Sequence, residues 1–181
     1  MYKCYQGNIV NGSESFSIPW IIGENLLQLG MWTLAGYLLW PVVSVSGWPL
    51  LTILWAILVV VIQVLLKKHN CSGCFYYDKL CHLGWGKISS TLFKQDSGDP
   101  IVGSKLSLFY IVPPPIILIT SIIFAAVGGV VWIYWASLAL YLVLNIATFL
   151  LRKKSCGLCV MRQVCFGSAV KQNIRIPIIK S

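Results

Sequence analysis

Twice in this chain a long apolar stretch runs into a basic cluster and then into three cysteines at nearly the same spacing. The first copy reads Leu66-Lys67-Lys68-His69-Asn70-Cys71, followed by Cys74, Cys81 and Gly84; the second reads Leu151-Arg152-Lys153-Lys154-Ser155-Cys156, followed by Cys159, Cys165 and Gly167. Six of the seven cysteines fall into these two blocks, and each block follows a pair of hydrophobic segments. The simplest fold consistent with that order is an internal duplication of one unit, two membrane helices plus a cysteine module.

The chain is 57 % hydrophobic and 10 % charged, well below the roughly 25 % charged residues of a soluble domain. A helix needs about 20 predominantly apolar residues to cross a ~30 Å hydrocarbon layer. Such stretches lie at about 26–45, 49–66, 106–126 and 131–151. The expected fold class is therefore all-α integral membrane, with four transmembrane helices as two pseudo-repeated hairpins, each followed by a cytoplasmic cysteine module. The first half, residues 1–105, holds the first hairpin, its cysteine module and an amphipathic loop. The second, residues 106–181, holds the second hairpin, its module and a basic tail.

The hairpin turns, at Ser44–Pro49 and Val127–Val130, contain Gly and Pro and no charge. All fourteen Lys and Arg residues lie outside the spans: Lys3, six from Lys67 to Lys105, and seven from Arg152 to Lys180. By the positive-inside rule both termini and the 67–105 loop are cytoplasmic. The polar stretch after Lys3 does not read as a secretory signal peptide. The net charge of +9 gathers where helices leave the membrane and comes with no nucleic-acid motif. Membrane lipids with anionic headgroups are its expected partner, and nucleic acid is not.

Within the spans the polar residues are few. Pro19-Trp20-Ile21-Ile22 suits a short interfacial element. Asn25 and Gln28 open the first span, and Gly30, Ala35 and Gly36 permit close helix approach. Pro113-Pro114-Pro115 shortens or kinks the third span. Asn145 in the fourth is expected to hydrogen-bond to another helix. Apart from Glu24, at a span margin, the spans carry no Lys, Arg, His, Asp or Glu, so an ion pathway lined by charged groups is not expected. The segment 84–94 can form a short amphipathic helix, and Ser97-Gly98-Asp99-Pro100 is turn chemistry.

A Cys-x2-Cys pair lets two thiolates converge on one ion, and two such pairs supply the four thiolates of a tetrahedral zinc or iron site. Cys71/Cys74 and Cys156/Cys159 are the leading ligands, and the hairpin topology returns both pairs to one face of the membrane. Cys81 and Cys165 add a third thiol to each module, which instead suggests a cluster or metal in each half, with His69, His82 or a non-protein ligand completing the first. His69 and His82 are weaker candidates, and because the second module has no histidine, two identical Cys3His sites are excluded. The expected cofactor is zinc or an iron–sulfur cluster. Thiol chemistry offers an alternative: the lysines beside each pair form an electropositive setting that favours thiolate. Juxtamembrane acylation is a third reading.

In size, span number and paired cysteines the chain resembles the DsbB family of quinone-linked disulfide-forming membrane enzymes. That resemblance implies reactive cysteines on the oxidising face, whereas Cys71, Cys74, Cys156 and Cys159 follow the basic ends of the spans. A cysteine-rich loop between the second and third spans also resembles the palmitoyltransferases, without their Asp-His-His-Cys sequence. No catalytic residue carries over from either. With two histidines and five acids, and no nucleotide or hydrolase signature, the expected role is an integral membrane subunit or scaffold. It binds metal through the paired modules and works with other membrane protein subunits; a membrane thiol–disulfide or sulfur-relay oxidoreductase is the alternative.

Overall fold

The computed structural model describes residues 10–45, 47–128, 130–165 and 167–170. Lys3, Cys4 and the basic tail from Lys171 onward lie outside the described residues. The chain is mostly helical, in the order α1 (Ile18–Leu39), β1 (Ser44–Val45), β2 (Trp48–Pro49), α2 (Leu50–Leu66), a π-helical segment (Lys67–Cys71), α3 (Trp85–Leu92), α4 (Pro100–Ser107), a 3-10 turn (Leu108–Tyr110), α5 (Pro113–Gly128) and α6 (Trp132–Leu158). β1 and β2 pair antiparallel, Ser44 opposite Pro49 and Val45 opposite Trp48, and make the first hairpin turn.

Three segments are long and apolar enough to cross a membrane: Leu50–Cys71, Pro100–Gly128 and Trp132–Leu158. Their apolar side chains point largely outward. On α2 only Val59, Gln63 and Leu66 are buried, one stripe at helical spacing, while Ile57 and Val60 on the other faces are exposed. An apolar exterior over a helix with all its backbone groups paired is suited to lipid.

α1 is not among those three segments, because Gly23, Glu24, Asn25 and Gln28 dilute its apolar run. It also sits earlier than the stretch 26–45. Pro19 occupies its first turn, where a missing amide donor costs nothing, and the element expected at Pro19–Ile22 is the start of this helix. Its 22 residues cover about 33 Å at ~1.5 Å per residue. At its start Asn25 Nδ2 donates to the carbonyl of Leu83 (3.1 Å). At its far end the Leu38 carbonyl accepts from Tyr134 Oη (2.9 Å), and Gly36 O accepts from Thr52 Oγ1 (2.8 Å). α1 therefore runs from the cysteine modules to the opposite end of the bundle.

The triple proline acts as the composition suggests. The chain leaves α4 through the 3-10 turn and restarts as α5 at Pro113, so the third apolar stretch is broken rather than continuous. α4 itself crosses residue 105, the boundary drawn between the two halves. Asn145 departs from expectation: its Nδ2 donates to Tyr141 O (2.7 Å), one turn back on the same helix. An apolar cluster of Met31, Ala35, Leu38, Ile117, Ala125, Tyr134, Leu138 and Tyr141 joins α1, α5 and α6. A second, of Phe16, Tyr76, Cys159, Val160, Met161 and Val164, lies among the cysteine modules.

Candidate functional site

Each module begins where a helix ends. In the first, the π-helical segment carries Cys71 out of α2, and Asn70 Nδ2 donates to Gly103 O (3.2 Å) and Ser107 Oγ (2.9 Å), tying the segment to α4. Turns follow, with Cys74 N–H donating to Cys71 O (3.3 Å) and Gly84 N–H to Cys81 O (2.8 Å). Gly84 then takes φ +71°, a left-handed conformation that glycine adopts without strain, and the chain enters α3. In the second module α6 continues through Cys156 to Leu158, and Cys159 N–H donates to Cys156 O (3.2 Å).

The N-terminal segment joins the two modules. Val10 N–H donates to Val160 O (3.0 Å) and Ser13 N–H to Leu158 O (2.8 Å), while Phe16 N–H donates to Leu80 O (3.0 Å). Tyr76 of the first module donates its hydroxyl to Ser13 O and accepts from Val160 N–H of the second (3.4 Å).

The outcome is one chamber of about 110 Å³ whose wall includes all six cysteines, Cys71, Cys74, Cys81, Cys156, Cys159 and Cys165. One water needs roughly 10–15 Å³, so the chamber has room for more than a single small ion. Tyr76, Trp85 and Tyr110 supply aromatic wall, and Arg152 and Arg162 supply positive charge. All six cysteines are thiols, without disulfides among them. No three Cys, His, Asp or Glu side chains among the described residues stand close enough to close on one metal ion.

The electropositive setting expected to favour thiolate is outweighed. Burial pushes the Cys74 thiol well above its ordinary range, and the nearby Cys165, Cys71 and Cys81 push it further. Burial raises Cys159 to about 12 and also raises Cys165, with Cys156 adding to the latter. Lys67 does lower the Cys71 thiol, but by less than burial and the neighbouring Cys81 and Cys165 raise it. Lys67 Nζ lies 4.6 Å from the centre of the Trp85 ring and donates to Gln63 O (3.4 Å); Lys154 Nζ lies 5.3 Å from that of Trp20. Arg152, which donates to Gly167 O (3.2 Å) and stacks 4.2 Å over Tyr110, slightly offsets the rise at Cys165.

The two histidines part company. His69 is not in the chamber wall; its Nδ1 accepts from Asp99 N–H (3.0 Å) beside the start of α4. His82 is in the wall, and its Nδ1 meets Glu24 Oε2 at 2.5 Å. Glu24 is 5 % exposed. Its other oxygen accepts from Ser155 Oγ (2.6 Å), and Ser155 in turn accepts from Trp20 Nε1–H (2.8 Å). Trp20, Glu24 and Ser155 were not apparent as site residues in sequence. Their signals were slight: Trp20 and Glu24 share a helix face at i, i+4, and Glu24 is an acid beside an apolar stretch. Beneath this network a small pocket is bounded by Glu24, Gln28, Thr148 and Arg152.

Comparison with known proteins returns no match among family models, curated proteins or solved structures.

Proposed function

We propose that this chain is a membrane electron-transfer subunit that holds a polynuclear metal–sulfur centre, an iron–sulfur cluster before zinc, in the six-cysteine chamber. The observation that carries the reading is the convergence of all six module cysteines on one cavity. A lone zinc is satisfied by four donors closing on a point, whereas these thiols surround a volume and no three meet at one position among the described residues. A cluster bridged by sulfide reaches ligands spaced around it. Thiols that burial holds protonated, as at Cys74, Cys159 and Cys165, also suit metal binding, because the incoming cation replaces the proton and supplies the charge that makes a buried thiolate tolerable. The same burial disfavours the thiol-relay alternative, which needs an exposed thiolate nucleophile, and acylation, which needs an accessible thiol.

In this reading α1 is a fourth membrane-crossing helix, shielded along its polar face by α6, and the chain is two pseudo-repeated halves, residues 1–105 and 106–181. By the positive-inside rule the Lys and Arg residues at the module end support a cytoplasmic orientation for it in this reading, among anionic lipid headgroups. Other membrane subunits would exchange electrons with the centre.

The test is iron, sulfide and zinc analysis with a visible absorption spectrum on protein purified without oxygen, beside the variant Cys74→Ser/Cys165→Ser. Iron and sulfide with a thiolate-to-iron band, lost in the variant, is the expected result. Zinc without visible absorption would make the site structural. Metal-free protein whose thiols respond to reductant alone would turn the assignment to thiol–disulfide chemistry.

A further inference from the structure

Among the cysteines of the chamber wall stands one histidine, His82. His82 follows Cys81 directly, whereas the residue after Cys165 in the second module is Phe166, so whatever His82 does is done on one side only. Its Nδ1 is held by Glu24 Oε2, and the described residues provide no partner for Nε2. Glu24 does not belong to the chamber; it bounds the small pocket beneath, and His82 borders both cavities. The imidazole thus stands between a buried carboxylate on one side and the thiols on the other.

That carboxylate is itself fixed from the second half of the chain. Ser155 donates to it, and Trp20 donates to Ser155, so two helices, α1 and α6, set the orientation of one ring. Metal-binding histidines characteristically donate their second N–H to a carboxylate, which fixes the tautomer and strengthens the free nitrogen as a donor. A purely structural ion pair would not require the ring to border the thiol chamber.

We propose that His82 Nε2 is a ligand of the metal centre, with Glu24 as its positioning residue, so that the centre is bound by cysteines of both modules and by one histidine of the first. The proposal rests on the metal-centre reading above. Replacing thiolate by imidazole removes negative charge from a cluster and raises its reduction potential, so His82 would set the potential of the centre.

The experiment uses the full-length chain, reconstituted without oxygen with ferrous iron and sulfide, as wild type, His82→Cys and Glu24→Gln. Pulsed electron paramagnetic resonance of the paramagnetic state reads nitrogen coupled to the iron, and a redox titration reads the potential. Wild type is expected to show strong histidine-nitrogen coupling that changes on histidine-specific 15N labelling. His82→Cys, which keeps a donor in place, is expected to retain iron, lose that coupling and titrate at lower potential. Glu24→Gln is expected to keep the coupling while its potential rises, because the imidazole becomes a weaker donor. A wild-type cluster without nitrogen coupling, or a His82→Cys protein with unchanged spectrum and potential, overturns this proposal and leaves the cysteine-bound cluster standing. Failure of the wild type to take up iron and sulfide at all overturns both.

Discussion

A thiol in water loses its proton near pH 8.5, yet Cys159 in the chamber wall keeps its proton to about 12 because burial disfavours the anion. Unfolding returns that thiol to water, so above its ordinary range the unfolded chain has released a proton that the folded chain still holds. Stability of the metal-free protein is then fully present below about pH 8.5 and falls as pH rises towards 12, at roughly 1.4 kcal/mol per pH unit for each such thiol. Thermal unfolding of metal-free protein in detergent should give a midpoint that drops between pH 7.5 and 10, and more shallowly in Cys74→Ala/Cys165→Ala; a flat wild-type profile would contradict this account. Ser155 offers a different single-residue test. It is fully buried and donates to the buried Glu24, so Ser155→Ala should cost about 1–3 kcal/mol through a carboxylate oxygen left without that donor. Chemical denaturation in mixed micelles would read it, and a change within a few tenths would mean that water replaces the hydroxyl. The cysteines themselves were legible because spacing and repetition are properties of sequence. The protonation of their thiols was not, since neighbouring lysines are visible in a string of letters and burial is not.

Among the elements, α3 is seated by a near approach of backbones. A Cβ added at Gly86 would lie 1.8 Å from Tyr76 O and 2.7 Å from Lys79 O, so Gly86→Ala must push α3 away from the turn that carries Tyr76. Overpacking of this kind costs about 1–3 kcal/mol, and here it also disturbs Trp85, which lines the chamber. Gly23 on α1 is the contrast, with nothing within 4 Å of an added Cβ; Gly23→Ala should be neutral or stabilise by up to ~1 kcal/mol through helix propensity. Measured side by side, equal effects would show that α3 is not held by this contact. The amphipathic pattern at 84–94 and the Asp99-Pro100 turn were readable, and they became α3 and an N-cap in which Asp99 Oδ1 accepts from Ile101 N–H (2.8 Å). The start of α1 was not readable from hydropathy. Polar residues that a window counts against a span, Glu24 and Gln28, are buried here against other helices. The π-helical turn at Lys67–Cys71 likewise has no signature in local composition, because it is set by what Asn70 meets on α4.

Over the whole molecule, two ends of one bundle carry opposite chemistry. One end holds the cysteine modules, α3 and the basic residues from Lys67 to Arg162 within the described chain; the other holds the β1–β2 turn and the α5–α6 turn, where Trp48 and Trp132 are exposed and no Lys or Arg occurs. Tryptophan suits a membrane–water interface, and basic residues favour the cytoplasmic side. The charge asymmetry between the ends was available from the letters, as was the return of both modules to one end, since hairpins of similar length bring their ends back together; the tryptophans at the turns were not singled out. What the letters could not supply was the chamber, which depends on residues 10–16 bridging the modules and on Tyr76 meeting both of them. With α1, α2, α5 and α6 all read as membrane-crossing, as proposed above, the orientation of the chain reduces to which end faces out. In a Cys4→Ser background, with the six chamber thiols buried or half-buried, an impermeant maleimide applied to intact cells is expected to label Trp48→Cys and to leave Lys87→Cys unlabelled until the cells are opened. Labelling of Lys87→Cys alone from outside would reverse the orientation and put the chamber in an oxidising compartment, where disulfides rather than a metal centre become the natural state of its six thiols. Labelling of both from outside would mean that α2 does not cross the membrane.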